Sequence, residues 1–268
     1  MPRISAVMSV YNEERYLNES VDSILAQTFT DFEFIIVDDG STDGTAEILS
    51  GYDDARVKVI TQANQGLIPS LNTAIKQAGG EFLARMDADD ISAPERFAKQ
   101  VDFLRDNPGC GMCGTWYEEI DSTGARSGRK SFPTDDRELR RVLVKYNPFC
   151  HASVMMRRDL VEAVGGYDVE LSRGGEDYDL WFKLAERAAI ANLPEVLIKR
   201  RYTSANISTV RERDHISGAL VARRRALASG RYPRVYYLYL IRPWFAMMVP
   251  AWMRGLIRRW FLVSVKES

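Results

Sequence analysis

The chain has 268 residues, 46% hydrophobic and 27% charged, enough to bury one sizeable core with an appendage. The formal net charge is −1, but residues 223–268 hold ten of the 36 Lys and Arg and one of the 37 Asp and Glu, so an acidic body carries a basic, aromatic tail that suits a surface partner. Three cysteines exclude a disulfide framework, and Cys110-x-x-Cys113 lacks the further ligands of a zinc site in a chain with two histidines, so small buried strand residues are expected there.

The first half alternates strand and helix signals. Ile4–Val10 is an apolar run ending in polar Tyr11-Asn12-Glu13. Glu14–Gln27 places Leu17, Val21, Ile24 and Leu25 at helical spacing. Phe34–Val37 is a second strand, ended by Asp38-Asp39-Gly40-Ser41; Thr45–Leu49 is a short helix and Val57–Thr61 a strand. Leu67–Gln77 is a helix that Gly79-Gly80 stops, and Phe82–Met86 is a strand ended by Asp87-Ala88-Asp89-Asp90. Pro94 opens a helix through Arg105. This alternation predicts an α/β fold, a mostly parallel mixed sheet with helices on both faces, with ligands beyond the carboxyl ends of its strands.

The second half is less regular. Met112–Ile120 is expected as a strand and Arg137–Val144 as a helix. Ala152–Met156 is expected as a strand, followed by a short helix ending at Gly165-Gly166. Tyr178–Ala189 is a strong helix with Leu180, Trp181, Leu184 and Ala188 on one face, which favours core packing for Trp181. Ile190–Ile198 is extended. A boundary near Ser217 divides a domain of residues 1–216 from a helical tail of residues 217–268.

Asp87-x-Asp89, directly after a strand, is a pair of hard oxygen ligands suited to Mg²⁺ or Mn²⁺ beside a substrate phosphate, although Asp also favours plain turns. Asp38-Asp39 is either turn and cap chemistry or an acceptor for a base or ribose. Gly174-Gly175-Glu176-Asp177 before a helix is equally a cap or a general base on a glycine turn.

Four segments taken together go further: Ser9-Val10-Tyr11-Asn12-Glu13-Glu14, Phe34 to Asp43, Met86-Asp87-Ala88-Asp89-Asp90, and Gly175-Glu176-Asp177-Tyr178-Asp179-Leu180-Trp181. In this order and spacing they resemble family 2 glycosyltransferases, inverting enzymes with the GT-A fold, of the non-processive bacterial type. Asn64-Gln65-Gly66 and Gly165-Gly166-Tyr167-Asp168 also match. The resemblance implies that Ser9 and Asp39 contact the base of a donor nucleotide and that Asn12 and Glu13 shape the same pocket. It further implies that Asp87 holds the ribose or a metal-bound water and that Asp89, with Asp87, serves an Mn²⁺ or Mg²⁺ on the diphosphate. Asp177 is then the catalytic base, with Glu176 beside it. The implied activity moves one sugar from a nucleotide diphosphate donor, with UDP the expected nucleotide, to a hydroxyl of a glycan or lipid-linked glycan in surface polysaccharide assembly. The alternative is a nucleotide-sugar-binding protein lacking transferase activity. One departure is that Lys199 to Ser204 carries neither the His nor the Gln-x-x-Arg-Trp of many relatives; Arg201 is the expected diphosphate contact, with Arg200 as substitute. His151 carries little weight as a site residue.

Two rival enzyme classes fit less well. Ser9–Glu14 is acidic and has no glycine, unlike the phosphate loop of a nucleotidyltransferase, and no G-x-G-x-x-G follows the first strand as in dinucleotide-binding oxidoreductases. In the tail, Arg242, Pro243 and Pro250 interrupt an apolar stretch, against a spanning helix of about 20 apolar residues. Pro250–Val263 sets Trp252, Leu256, Trp260 and Phe261 on one helical stripe and Arg254, Arg258 and Arg259 on the other, the pattern of an interfacial helix. A peripheral membrane contact through residues 235–263, at the inner face of the cell membrane of a cytoplasmic protein, is expected, and no nucleic-acid partner.

Overall fold

The computed structural model of the chain describes residues 1–171, 174–203, 212–241 and 243–244. Among the described residues nine strands form one sheet, in the order β3-β2-β1-β4-β8-β6-β9-β5, with β7 beside β6. Their ranges are β1 Ile4–Val10, β2 Phe32–Asp38, β3 Val57–Thr61, β4 Phe82–Arg85, β5 Ile91–Ser92, β6 Cys110–Ile120, β7 Arg126–Lys130, β8 Met155–Arg157 and β9 Ala189–Arg201. Strands β1 to β4 pair in parallel. Beyond β4 the sheet is mixed: β8 is antiparallel to both β4 and β6, and β6 is parallel to β9. The short strands β5 and β7 had no apolar run to announce them; each is the antiparallel partner of a longer strand. Ala152 and Ser153, expected at the start of a strand, instead belong to a single 3-10 turn over His151–Ser153, and the strand begins at Met155.

Period-two alternation sorts the core into two layers. Ile4, Ala6, Met8, Phe34, Ile36, Phe82 and Ala84 face one side, where α1 (Leu17–Leu25) and α4 (Arg96–Asp106) cover them. Val7, Ile35, Val37 and Leu83 face the other. That side is covered by α3 (Leu67–Gln77), α5 (Asp136–Leu143), α6 (Arg158–Ala163), α7 (Glu176–Ala185) and α8 (Glu212–Ala228). A strand buried on both faces carries apolar residues at most positions, which is why β1, β2 and β4 read as mainly apolar runs rather than as an alternation. Helix α2 (Thr45–Ser50) lies at the edge, beside α1. Trp181 is fully buried against Phe149 and His151, and Cys110, Cys113 and Cys150 are buried free thiols.

Helix α8 spans the position of the expected boundary after residue 216 and packs on α7, burying Leu220, Ala222, Ala226 and Leu227. The segment that follows is two-sided. Tyr232, Tyr236, Tyr239 and Leu240 pack against the core, while Val235, Tyr237, Leu238, Ile241 and Trp244 are exposed. The interfacial helix expected over residues 250–263 lies outside the described residues. Among the described residues no helix is long and apolar enough to cross a membrane.

Chain order positions the site. The chain steps outward from β1 to β2 to β3, then returns to place β4 on the other flank of β1. Open α/β sheets bind ligands in the crevice at such a reversal, beyond the carboxyl ends of the strands. Phe34→Ala, deep in one layer, is expected to lower unfolding free energy by about 3–5 kcal/mol. Val59→Ala, on the exposed edge strand, should stay within about 0.5 kcal/mol in the same urea titration.

Candidate active site

The loops after β1 and β2 are laced together by short polar side chains. Asn12, in a left-handed backbone conformation (φ 56°), donates its N–H to Ser41 Oγ at 3.0 Å and accepts from the Thr42 N–H at 2.8 Å. The Glu13 N–H donates to Thr45 Oγ1 at 2.9 Å, and Glu14 accepts from the Gly44 N–H at 2.7 Å. This lacing leaves the Glu13 carboxylate free to face the crevice. Ser9, the one half-buried residue of β1, stands near the same edge.

Asp39 is 1% exposed and anchors the loop before α3. Its carboxylate accepts from Gln62 Nε2 at 2.8 Å, the Gln65 N–H at 3.0 Å and the Gly66 N–H at 2.7 Å. The turn chemistry open at Asp38 is also present: Asp38 accepts from the Ser41 N–H at 3.0 Å.

The Asp87, Asp89 and Asp90 carboxylates lie after β4, each offering an oxygen within 4.8 Å of the others. Close carboxylates raise one another's pKa. Asp89 is pushed up to about 6, first by burial and then by Asp87. Asp90 is held well above the usual range by burial and both neighbours. Glu13, across the crevice, is pushed up to about 7 by burial and then by Asp89, Asp87 and Asp43. Asp87 is the exception: burial raises it, but the guanidinium of Arg85, which pairs with it from two residues back, brings it below the ordinary value.

Arg85 is 2% exposed, and its Nε finds no acceptor. The strand run Phe82-Leu83-Ala84-Arg85 thus ends in a buried cation under the acidic loop. The fully buried Arg96 secures this strand end, donating to the Arg85 carbonyl at 2.8 Å and to Gln100 Oε1 at 2.9 Å.

The second acidic pair arrives from the far half of the chain. Glu176 and Asp177 sit in the first turn of α7, where the helix dipole favours negative charge. Burial, then Asp177, pushes Glu176 up to about 7; Arg85 opposes this, and Asp87 adds to it. Asp177 is also raised, by burial, although it accepts from the Tyr178 N–H at 2.7 Å and Asn147 Nδ2 at 2.8 Å. The charges of Arg85 and Asp87 both act on Glu176, so the metal-type carboxylates and the glycine-turn carboxylates share one field.

Tyr167 and His151 line the same region, their hydroxyl and Nε2 2.7 Å apart. Burial and then Arg85 hold His151 well below its usual pKa, so it stands neutral beside Asp87. His151 carried little weight in the sequence, and Arg85, Tyr167 and Asn147 had no assigned role there. The signal for Arg85 was a charge inside an otherwise apolar strand; nothing marked Asn147.

The expectation for Arg201 meets a guanidinium already engaged. Its side chain is 2% exposed, donates to the Asp89 carbonyl at 3.0 Å and the Asp121 carbonyl at 3.1 Å, pairs with Glu19, and stacks over Tyr16. Arg200 is half-buried, lies over Tyr117 and Tyr202, and its charge acts on Asp87, Asp89 and Asp90.

The donor set fits a hard divalent cation. It is all oxygen, Asp89 and Asp90 carry raised pKa values that a cation would relieve, and Asp90 Oδ2 is buried with no hydrogen-bond partner.

Residues 5–165 match the glycosyl transferase family 2. EpsE of Bacillus subtilis (strain 168), which bears a glycosyltransferase name, is 34% identical over 275 aligned positions, covering 100% of this chain and 97% of the relative. The amylovoran biosynthesis glycosyltransferase AmsE of Erwinia amylovora is 30% identical, covering 84% of this chain and 85% of the relative. Among solved structures, S. aureus TarS 1–349 in complex with UDP-GlcNAc superposes with a TM-score of 0.75 at 20% identity, covering 94% of this chain and 77% of that one. The mannosyltransferase PcManGT from Pyrobaculum calidifontis, in complex with GDP-Man and Mn²⁺, gives 0.66 at 23% identity, covering 89% and 68%. The chain therefore belongs to glycosyl transferase family 2 and is a glycosyltransferase with the GT-A fold.

Proposed function

We propose that this transferase moves a single sugar, with inversion, from a nucleoside diphosphate sugar to a hydroxyl acceptor, using a divalent cation held by Asp89 and Asp87. The observation that carries the reading is the shared field of Asp87, Asp89, Glu176 and Asp177 around buried Arg85. Transfer by inversion needs a leaving group on one side of the anomeric carbon and a proton acceptor on the other. In this reading the acidic group at the carboxyl end of β4 serves the leaving diphosphate, and the one at the start of α7 takes the proton.

When bound, Mn²⁺ or Mg²⁺ supplies neutralisation of the charge that develops on the departing diphosphate. Arg200, rather than the engaged Arg201, is the protein's own cation for that phosphate. Ser9, Asn12 and Glu13 border the nucleotide pocket. Asp39 serves it by fixing the loop that starts α3, at the edge where the base would lie. Asp177 accepts the proton of the acceptor hydroxyl, held in place by Asn147, and Glu176 orients the acceptor beside it. The raised pKa of Asp177 makes it a stronger base than a solvated carboxylate.

Uridine is the proposed nucleotide, on the Ser9 and Asp39 match and the UDP-GlcNAc complex of TarS. Work in surface polysaccharide assembly, on a glycan or lipid-linked glycan, is supported by the names of AmsE and of the O-antigen biosynthesis glycosyltransferase WbnJ of Escherichia coli. Peripheral contact with the inner membrane face is proposed for the exposed stripe of Val235, Leu238, Ile241 and Trp244, in a tail rich in arginine.

Three outcomes are expected. Thermal-shift titration with UDP, GDP and their sugars should show stabilisation that requires Mn²⁺ or Mg²⁺. Because a proton competes with the cation for Asp89, the cation-dependent gain should be larger near pH 8 than near pH 5, and Asp89→Asn should remove it at both. Asp177→Asn should lower turnover by about 10²–10⁴-fold while UDP affinity by calorimetry stays unchanged; retained turnover would overturn the base assignment. In flotation with vesicles containing anionic lipid, the full chain should rise with the vesicles and the Leu238→Glu, Ile241→Glu variant should not. A full chain that stays at the bottom ends the membrane reading.

A further inference from the structure

The turn that presents Asp177 has no side chains of its own to hold it. Gly174 (φ 139°) and Gly175 (φ 84°) both adopt backbone conformations that L side chains rarely enter. Gly175 caps α7 without any side-chain hydrogen bond. Something else must set the height of the carboxylate above the crevice.

Helix α8 crosses this turn at backbone contact. A Cβ placed on Gly218 would lie 1.7 Å from the Gly174 carbonyl oxygen and 2.4 Å from its carbon. A Cβ on Gly175 would lie 2.4 Å from the Gly218 carbonyl carbon and 2.8 Å from the Ala219 nitrogen. Three glycines thus form a crossing with no room for a methyl group on either side. One helical turn earlier, His215 covers Gly174: a Cβ there would meet His215 Cα and Nδ1, each at 3.0 Å. The charge of His215 is among those that act on Asp177, and it favours the ionised carboxylate.

The next turns of α8 grip the rest of the first turn of α7. Arg223 Nε donates to the Tyr178 hydroxyl at 3.1 Å, while its Nη2 donates to the Lys145 carbonyl at 2.8 Å. Arg225 bonds Asp168 at 2.7 Å and Glu170 at 2.9 Å and reaches Asp179 at 3.4 Å. Residues 174, 175, 178 and 179, which flank the two carboxylates on both sides, are all held by one helix.

We infer that Gly218 and His215 of α8 are positioning residues for Asp177: the glycine crossing fixes the turn, and His215 covers it beside the carboxylate. The inference rests on the reading of Asp177 as the base. It also gives the tail a part in catalysis, because α8 leads directly into the aromatic segment after it. A displaced turn moves the proton acceptor away from the acceptor hydroxyl and leaves the nucleotide pocket, on the loops after β1, β2 and β4, as it was.

The test compares Gly218→Ala, His215→Gln, Asp177→Asn and the exposed control Arg224→Ala in the full chain, with the donor identified by thermal shift. Gly218→Ala and His215→Gln should each lower kcat by about ten- to a hundredfold, the scale expected of a misplaced catalytic group. Donor KM and UDP affinity should remain within about twofold of wild type, as for an interaction made only in the transition state. Arg224→Ala should match wild type. If Gly218→Ala does not fold, by circular dichroism and melting, His215→Gln decides alone. Wild-type kcat in the folded α8 variants, with Asp177→Asn inactive, overturns the clamp and spares the base; so does a loss in which donor KM rises in proportion. Wild-type turnover in Asp177→Asn overturns the base reading itself.

Discussion

A buried cation under a rim of carboxylates is the constraint on which this site depends. Asp87, Asp89, Asp90, Glu13, Glu176 and Asp177 crowd the carboxyl edge of the sheet, and the pKa values of all but Asp87 are raised. Arg85 is enclosed by the protein at that point, 2% exposed and paired to Asp87. It keeps the first carboxylate of the cluster ionised and leaves the rest short of positive charge. A site so built holds a standing demand for a cation and for a cationic side chain over phosphate. In a low-dielectric crevice such a demand is worth more than in water.

The fold brings this charge together without letting it destabilise the core. Both faces of β1, β2 and β4 are apolar, so polar groups are confined to the ends of these strands. Reversal of chain order beside β1 then opens the crevice where three of those ends meet. Several conspicuous charges are taken up in holding the site together. Asp39 holds the loop before α3, Arg96 ties down the end of β4, and Arg201 joins Asp89, Asp121 and Glu19. Their burial separates them from groups such as Glu13 and Arg200, whose charges act on the carboxylates of the crevice.

The far wall of the site is made by different means. Asp177 stands on two glycines, and the contacts that locate it come from Asn147 and from α8. Backbone pressed against backbone is a stiff support, because neither side has a rotamer to relax into. The same helix leads into a segment whose Tyr232, Tyr236 and Tyr239 pack inward while Val235, Tyr237, Leu238 and Ile241 face outward, so α8 connects the exposed stripe to the carboxylate turn.

Much of this was legible in the amino-acid order alone. Apolar runs and helical spacing located β1 to β4, α3 and α7, because local periodicity is a property of neighbouring residues. The four acidic segments marked the family, since their order and spacing survive without any geometry. What the chain by itself left open were the choices that depend on distant partners. Asp177 as cap or base, Arg200 or Arg201 toward phosphate, His151 as strand residue or site wall, and the support of the glycine turn all depend on contacts across 16 to more than 100 positions of sequence. The weak strands β5 and β7 belong to the same class: they are extended because a partner strand offers hydrogen bonds, not because their residues demand it. Local chemistry determines which side chains are available; only tertiary packing determines which of them are consumed by the structure and which are left facing the substrate.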